Sequence, residues 1–398
     1  MLPAIDANDM PKTVSALRFM ANIAFRVPLY DLSGDDGTDV AIQWTQAEME
    51  RLEQWTDDDL ESPQDLAQSD LDEVARLSTG GLPDFVSAFF DRLLIQAEYM
   101  PDMSAQIPQA SDKEEDEMEL LQLFLRRFIT ALGPAEVKIV IQKTSNYLEH
   151  DLKYPARFIL AYICAALSEI NPALTMSSLL PVIESNIRFE INENNAGAKR
   201  TIITEVRTQD HALDANLYIL SHLLVRTGGS VMSNYLLQLR NIVVTVIDKV
   251  MAVSGSIQGS LVLENILKSM LDIYTQDARL FEEDEASIDH WGQYPDPRTM
   301  KIKWHLPSTS EINDAWQLCS LIHDKLQDGV SLLIESKNVK DEKITNGFKA
   351  SMSTSTALAD DLANKVGWLG SLIAGMASFF APHQLDSHAM NSDPETAR

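Results

Sequence analysis

An all-α solenoid of antiparallel helix pairs is the architecture this sequence predicts. Three observations carry the expectation. Apolar residues recur over most of the chain with roughly the 3.6-residue helical period, and strand-like alternation is nearly absent. Short turns built on Gly, Pro or Asn separate successive amphipathic stretches. Two amphipathic helices joined by a short turn fold back on each other, and pair after pair builds a stack rather than a closed bundle.

The elements follow in order. Asp6, Asn8, Asp9 and Pro11 form an opening turn for an apolar helix that stops at Val27-Pro28. An acidic insert occupies about 32–80. Gly80-Gly81-Leu82-Pro83 then leads into a helix carrying Phe85, Phe89 and Leu93. The stretch of about 100–118, ending in SDKEEDEME, reads as an acidic surface loop, after which Leu120–Leu132 resumes an apolar helix closed by Gly133-Pro134. Pro155 can open a helix lined by Ile159, Ile163, Ala166 and Ile170. Asn171-Pro172 ends it and starts the next, with stripe Met176, Leu179, Ile183, Ile187 and a kink expected at Pro181. Such pairs are the unit of HEAT- and armadillo-like stacks, here with degenerate spacing.

The stripe Leu213, Leu217, Leu220, Leu224 stops at Gly228-Gly229, a left-handed cap. Tyr235, Leu239, Ile242, Val246 and Val250 line its partner, ending near Gly255, and Leu263, Leu267, Met270 and Tyr274 line a third helix. Residues 281–309 form a connector, acidic at first (FEEDEASID) and then rich in aromatics and proline, with Trp291, Tyr294, Pro295, Pro297, Trp304, His305 and Pro307. Its aromatics could line a peptide-docking groove; the favoured reading is that they pin a crossing loop onto the helices, since Trp and Tyr bury large area. Ser308 and Glu311 have capping-box spacing for the helix containing Trp316. The last helix shows a stripe Leu358, Leu362, Val366, Leu369, Ile373, Met376, Phe380. Residues 1–382 thus read as one solenoid segment and 383–398 as a disordered tail.

Composition narrows the function classes. The chain has 398 residues, 45% of them hydrophobic and 23% charged, enough for a sizeable core. Asp31–Glu119 holds 25 acidic and 4 basic residues, so most of the net charge of −27 sits there. Direct nucleic-acid binding is not expected of such a surface, because phosphate recognition needs clustered Lys and Arg; basic proteins are allowed partners. Cys164 and Cys319 read as reduced core thiols. Val366–Ala381 is the longest apolar run, too short and too rich in Gly, Ala and Ser for a membrane span; a buried helix is expected, with a membrane-associated adaptor as the rival. No glycine-rich phosphate loop, nucleophile elbow, H-E-x-x-H motif or zinc-spaced Cys pair is present. His211 and His222 lie eleven residues apart without a carboxylate pair, and Asp57–Asp59 reads as solvated surface, so no catalytic, cofactor-binding or metal residue is assigned.

Two blocks carry a resemblance. The first is Asp6, Asn8, Asp9, Lys12, Thr13 followed by Val27, Pro28, Leu29, Asp31; the second is Trp291, Gly292, Ile302, Trp304, His305, Pro307, Ser308, Glu311. Both resemble signature blocks of the large single-chain HEAT-repeat proteasome activators, the Blm-type family. The resemblance implies a non-catalytic dome that caps the core proteasome and promotes ubiquitin-independent entry of peptides and some unfolded or acetylated proteins. It also implies nuclear and cytoplasmic localisation and links to histone turnover and DNA repair. Family docking uses a C-terminal hydrophobic-Tyr-any tail, which Asp393–Arg398 does not match. The expectation is therefore a fragment corresponding to the middle region of an activator, unable to open the gate alone, with a stand-alone scaffold for protein–protein interaction as the alternative.

Overall fold

The computed structural model describes residues 10–26, 29, 79–99, 112–198, 208–274, 305–341 and 351–377. These hold eleven α-helices and no strand. Contacts divide the chain into two compact units, Met1–Tyr147 and Leu148–Arg398.

Unit 1 contains α1 (Met10–Arg26), α2 (Leu82–Ala97), α3 (Asp112–Ala131) and most of α4 (Pro134–His150). α1 buries Leu17, Met20, Ala21 and Ala24 and packs on α3. Leu29, just past the Val27-Pro28 stop, is tied to the α3–α4 junction: its N–H donates to the Ala131 carbonyl at 2.7 Å, and the Gly133 N–H donates back to its own at 2.8 Å. One residue of the first signature block thereby anchors the chain leaving α1. Pro83 opens α2, where its missing N–H costs nothing. The buried stripe Phe89, Phe90, Leu93 of α2 meets Phe124 and Phe128 of α3 in a cluster of rings. Lys143 of α4 reaches Asp91 of α2 at 2.6 Å, and the Tyr147 hydroxyl donates to Glu98 at 3.1 Å. One expectation is corrected: α3 starts at Asp112, so the second half of the 100–118 loop is helix. Acidic residues in a first turn favour the helix, because they face the positive end of its dipole.

Among its described residues, unit 2 contains a 3₁₀ turn (Tyr154–Ala156) and seven helices: α5 (Arg157–Ile170), α6 (Pro172–Asn192), α7 (Thr208–Val225), α8 (Gly229–Lys249), α9 (Val253–Leu271), α10 (Thr309–Asp341) and α11 (Ser351–Gly375). Two layers emerge from which helix touches which. α5, α7, α9 and α11 pack successively on one another, and so do α6, α8 and α10. Between layers, α6 meets α7, α8 meets α9 and α10 meets α11. That is the two-layer stack expected of a HEAT-like solenoid. The predicted stripes point into it: Ile159, Ile163, Met176, Leu179, Ile183, Leu217, Leu220, Leu239, Val246, Leu263 and Leu267 are all buried. Asn171 caps α6, accepting from the Leu174 N–H at 3.1 Å.

Pro181 lies in the interior of α6 as predicted and sits exposed; the carbonyl it leaves unpartnered, four residues back at exposed Ser177, can be hydrated. Several boundaries differ from expectation for physical reasons. α8 ends at Lys249, and Gly255 lies in the first turn of α9 instead of closing α8. Tyr274 lies beyond α9. Gly228 has φ 77° and ψ 149°, so it does reach positive φ, but it serves as the N-cap residue of α8. In α11 the buried line is Trp368, Leu372, Met376, while Val366 and Ile373 of the expected stripe are 58% and 70% exposed. Apolar residues surround this helix, so periodicity alone offers two faces, and the packing of α9 selects the one bearing Trp368. The insert of 32–80, the tail of 383–398 and connector residues 281–304 lie outside the described residues, apart from Thr79 and Gly80.

Candidate functional site

The second signature block closes on itself where α9 gives way to α10. Tyr274 and His305 form an isolated antiparallel bridge, with the His305 N–H donating to the Tyr274 carbonyl at 2.8 Å and the reverse bond at 3.3 Å. This bridge, the neck, ties the chain leaving α9 to the chain that enters α10. Ser308 and Glu311 make the expected capping box: the Ser308 N–H donates to Glu311 Oε2 at 2.6 Å, and the Glu311 N–H to Ser308 Oγ at 3.3 Å. His305 Nε2 lies 3.0 Å and 3.2 Å from the two carboxylate oxygens of the same glutamate. Glu311 is 4% exposed, so these partners replace the water it has lost. In sequence terms, His, Ser and Glu of W-H-x-P-S-x-x-E are one hydrogen-bonded knot at the start of α10.

The neck is seated on two glycines. A Cβ on Gly228 would lie 2.2 Å from Cζ of Tyr274, and one on Gly229 would lie 2.6 Å from Glu311 Oε1. The Tyr274 ring packs on His305 with centroids 4.7 Å apart, and its hydroxyl lies 3.1 Å from Ser230 Oγ. The Gly228 N–H donates to Ser269 Oγ, and that hydroxyl donates to the Leu224 carbonyl, stitching the ends of α7 and α9 to the start of α8. Sequence reading found the capping box but missed that Gly228, Gly229 and Tyr274 belong to the same junction. Gly228 and Tyr274 stand far apart in the chain, and no local pattern joins them.

Elsewhere the described side chains show structural roles. His222 faces the Tyr218 carbonyl through Nδ1 at 3.0 Å, and burial holds its pKa down so that the neutral ring is favoured. His211 packs edge-on to Tyr154 with centroids 4.2 Å apart. His222 also lies 6.3 Å, centroid to centroid, from the Tyr162 ring of α5, so the two imidazoles pack α7 against the 3₁₀ turn and α5. Arg157 is 1% exposed, with its guanidinium 3.6 Å from the Tyr154 ring centroid and an N–H donated to the Tyr154 carbonyl at 2.8 Å. Among the described residues no group of three or more His, Cys, Asp or Glu could hold a metal ion, and no helix is long and apolar enough to cross a membrane. Asp57–Asp59 and the aromatics Trp291, Tyr294 and Trp304 lie outside the described residues. A groove of about 440 Å³ between α2 and α4 is lined by Asp84, Ser87, Gln142 and Lys143 among others.

Cys164 is fully buried, and desolvation pushes its thiol up to about 12. Nucleophilicity requires the thiolate, so the native protein is expected to leave Cys164 unmodified by iodoacetamide at pH 8 while labelling it fully in urea. Mass spectrometry of the labelled peptides checks this; rapid native labelling of Cys164 would mean that α5 opens readily.

A helical stack with a tied neck, and no metal-holding group among the described residues, is the setting for the sequence comparisons. Residues 1–380 match the family described as Proteasome activator complex subunit 4, mid HEAT repeats region. The chain belongs to this family. Proteasome activator complex subunit 4B of Danio rerio is 25% identical over 333 residues, covering 78% of this chain. The chain spans 16% of the length of that curated relative. Membership of this mid-HEAT-repeat family agrees with the layered helix order of unit 2, and His305, Ser308 and Glu311 at the neck belong to the second resemblance block.

Proposed function

We propose that the chain is a non-catalytic stretch of the helical-repeat wall of a proteasome activator that caps the core proteasome and promotes ubiquitin-independent degradation of peptides and proteins. The observation that supports this reading is membership, over residues 1–380, of a proteasome-activator family. The physical side agrees. Stacked helix pairs give broad faces for macromolecules, and the described residues assemble no polar catalytic pocket. A net charge of −27 favours basic partners, so acetylated histones and other basic proteins in the nucleus and cytoplasm are the proposed clients, with DNA repair as the proposed setting.

The test is a native gel of cell extract, overlaid with a fluorogenic peptide and then blotted with an antibody raised against this chain. The expected result is comigration of the antigen with a capped, active core proteasome. Antigen confined to positions without peptidase activity would overturn the reading and leave an independent helical scaffold.

A further inference from the structure

His222 is a titratable group whose ring is hydrogen-bonded on one side only. It lies in the last turn of α7, partly buried between the rings of Tyr218, 4.3 Å away, and Tyr162 of α5, 6.3 Å away. The Tyr218 carbonyl, 3.0 Å from Nδ1, can only accept, so Nδ1 carries the hydrogen of the neutral ring and Nε2 is the base. Among the described residues no hydrogen-bond partner stands at Nε2. A cation near a helix C-terminus ordinarily gains from the dipole, but here the last carbonyls are taken. Asn265 of α9 donates to the Ser221 carbonyl at 2.9 Å, Ser168 of α5 to that of Leu223 at 2.8 Å, and Ser269 of α9 to that of Leu224 at 3.1 Å.

The charged groups on the elements packed against α7 do not answer a charge on His222 either. Asp214 stands eight residues earlier on α7, about 12 Å along its axis, and accepts from the Tyr154 hydroxyl of the 3₁₀ turn at 3.1 Å. Arg157 of α5 adds a positive charge to the same aromatic cluster. Glu264 of α9 pairs with Lys268, and Glu184 of α6 with Arg188. Glu169, Arg226 and Asp272 line a hollow beside Gly228 and Tyr274.

We propose that His222 is the trigger of an acid-sensitive latch: a proton taken at Nε2 releases the C-terminal end of α7 from α5 and α9. Release gives the charged ring the water that its packed position denies it. The ties that part are those from Ser168, Asn265 and Ser269, and the last continues to the neck, because Ser269 Oγ also accepts from the Gly228 N–H at 2.9 Å. Burial holds His222 in the folded chain below the ordinary histidine value of 6.5, and the bond to the Tyr218 carbonyl offsets this only in part. The released state therefore binds the proton first. The latch is closed above about pH 6.5; below it, each pH unit favours release by up to about tenfold, the limit for one proton, until the folded state is protonated too.

Hydrogen exchange of the full 398-residue chain at pH 7.5 and pH 5.5, corrected for the intrinsic pH dependence of amide exchange, tests this. The expected result at the lower pH is a loss of protection, up to about tenfold, in the last turn of α7 and at the Gly228 N–H. His222→Phe keeps a ring in place and takes no proton, so its α7 protection is expected to be equal at both pH values; His222→Gln serves the same purpose should the Phe chain not fold. NMR titration of the His222 ring in the unsubstituted chain reads the event without any substitution, with a midpoint expected below 6.5 that tracks the loss of protection. Unchanged α7 protection at pH 5.5, an equal loss in His222→Phe, or a His222 ring titrating at or above 6.5 would each overturn the proposal.

Discussion

Replacing Gly228 by alanine is expected to lower the stability of unit 2 by about 3 kcal/mol or more, from two independent costs. The first is in the backbone. At φ 77° and ψ 149° Gly228 occupies a region that residues with a Cβ adopt only under strain of about 1–3 kcal/mol. The second is steric. The new methyl group would lie 2.2 Å from Tyr274 Cζ and 2.4 Å from its hydroxyl oxygen, and overpacking of this kind costs about 1–3 kcal/mol. Tyr274 cannot swing away freely, because its backbone is bridged to His305 and its ring packs against the His305 ring. Urea unfolding followed by circular dichroism gives the loss as a lower midpoint at constant slope. Repeating the substitution in a Tyr274→Ala background separates the costs, since only the backbone cost survives there. A Gly228→Ala chain as stable as the parent would mean that the neck does not press on this glycine.

The same junction shows how far sequence reading reaches. Ser308 and Glu311 were legible because a capping box is a local device, fixed by a spacing of three residues. The stripes of α5 to α9 were legible because one face of each is continuously apolar, so a period of about 3.6 residues has a single solution. α11 was misread because Val366, Trp368, Leu369, Leu372 and Ile373 supply apolar positions all round the helix. Which line is buried was decided by Ser256, Ser260 and Leu267, more than a hundred residues earlier. The start of α3 at Asp112 was missed because clustered acids read as loop, though at a helix N-terminus they are favourable. Of the candidate site, sequence supplied the motif and its resemblance. It could not supply Gly228 or the bridge at Tyr274, which exist only once α7, α8 and α9 are stacked.

Phe89→Ala is expected to cost about 3–5 kcal/mol and to act on unit 1, the range for truncating a fully buried aromatic. Phe89 is 0% exposed, and its ring lies 5.2 Å from Phe90, 5.6 Å from Phe124 and 5.1 Å from Phe128, with Phe85 at 6.3 Å. Truncation removes the ring around which α2 and α3 interdigitate, and the four remaining rings, each held by its own helix, can only partly refill the space. Tilted and edge-on ring pairs add about 0.5–1.5 kcal/mol each beyond burial, so Phe89→Leu should cost less than Phe89→Ala but more than its volume change suggests. Phe19→Ala, on α1 at 55% exposure, supplies the contrast and should stay within about 0.5 kcal/mol of the parent. Because α3 also carries α1, and through the Ala131 carbonyl the Leu29 tie, loosening the ring cluster should raise amide exchange at the Leu29 N–H as well as within α2 and α3. Hydrogen exchange of Phe89→Ala reads this directly. Fast exchange confined to α2, with α3 and Leu29 still protected, would mean that the rings hold α2 alone and that α1 and α3 form a stable pair without them.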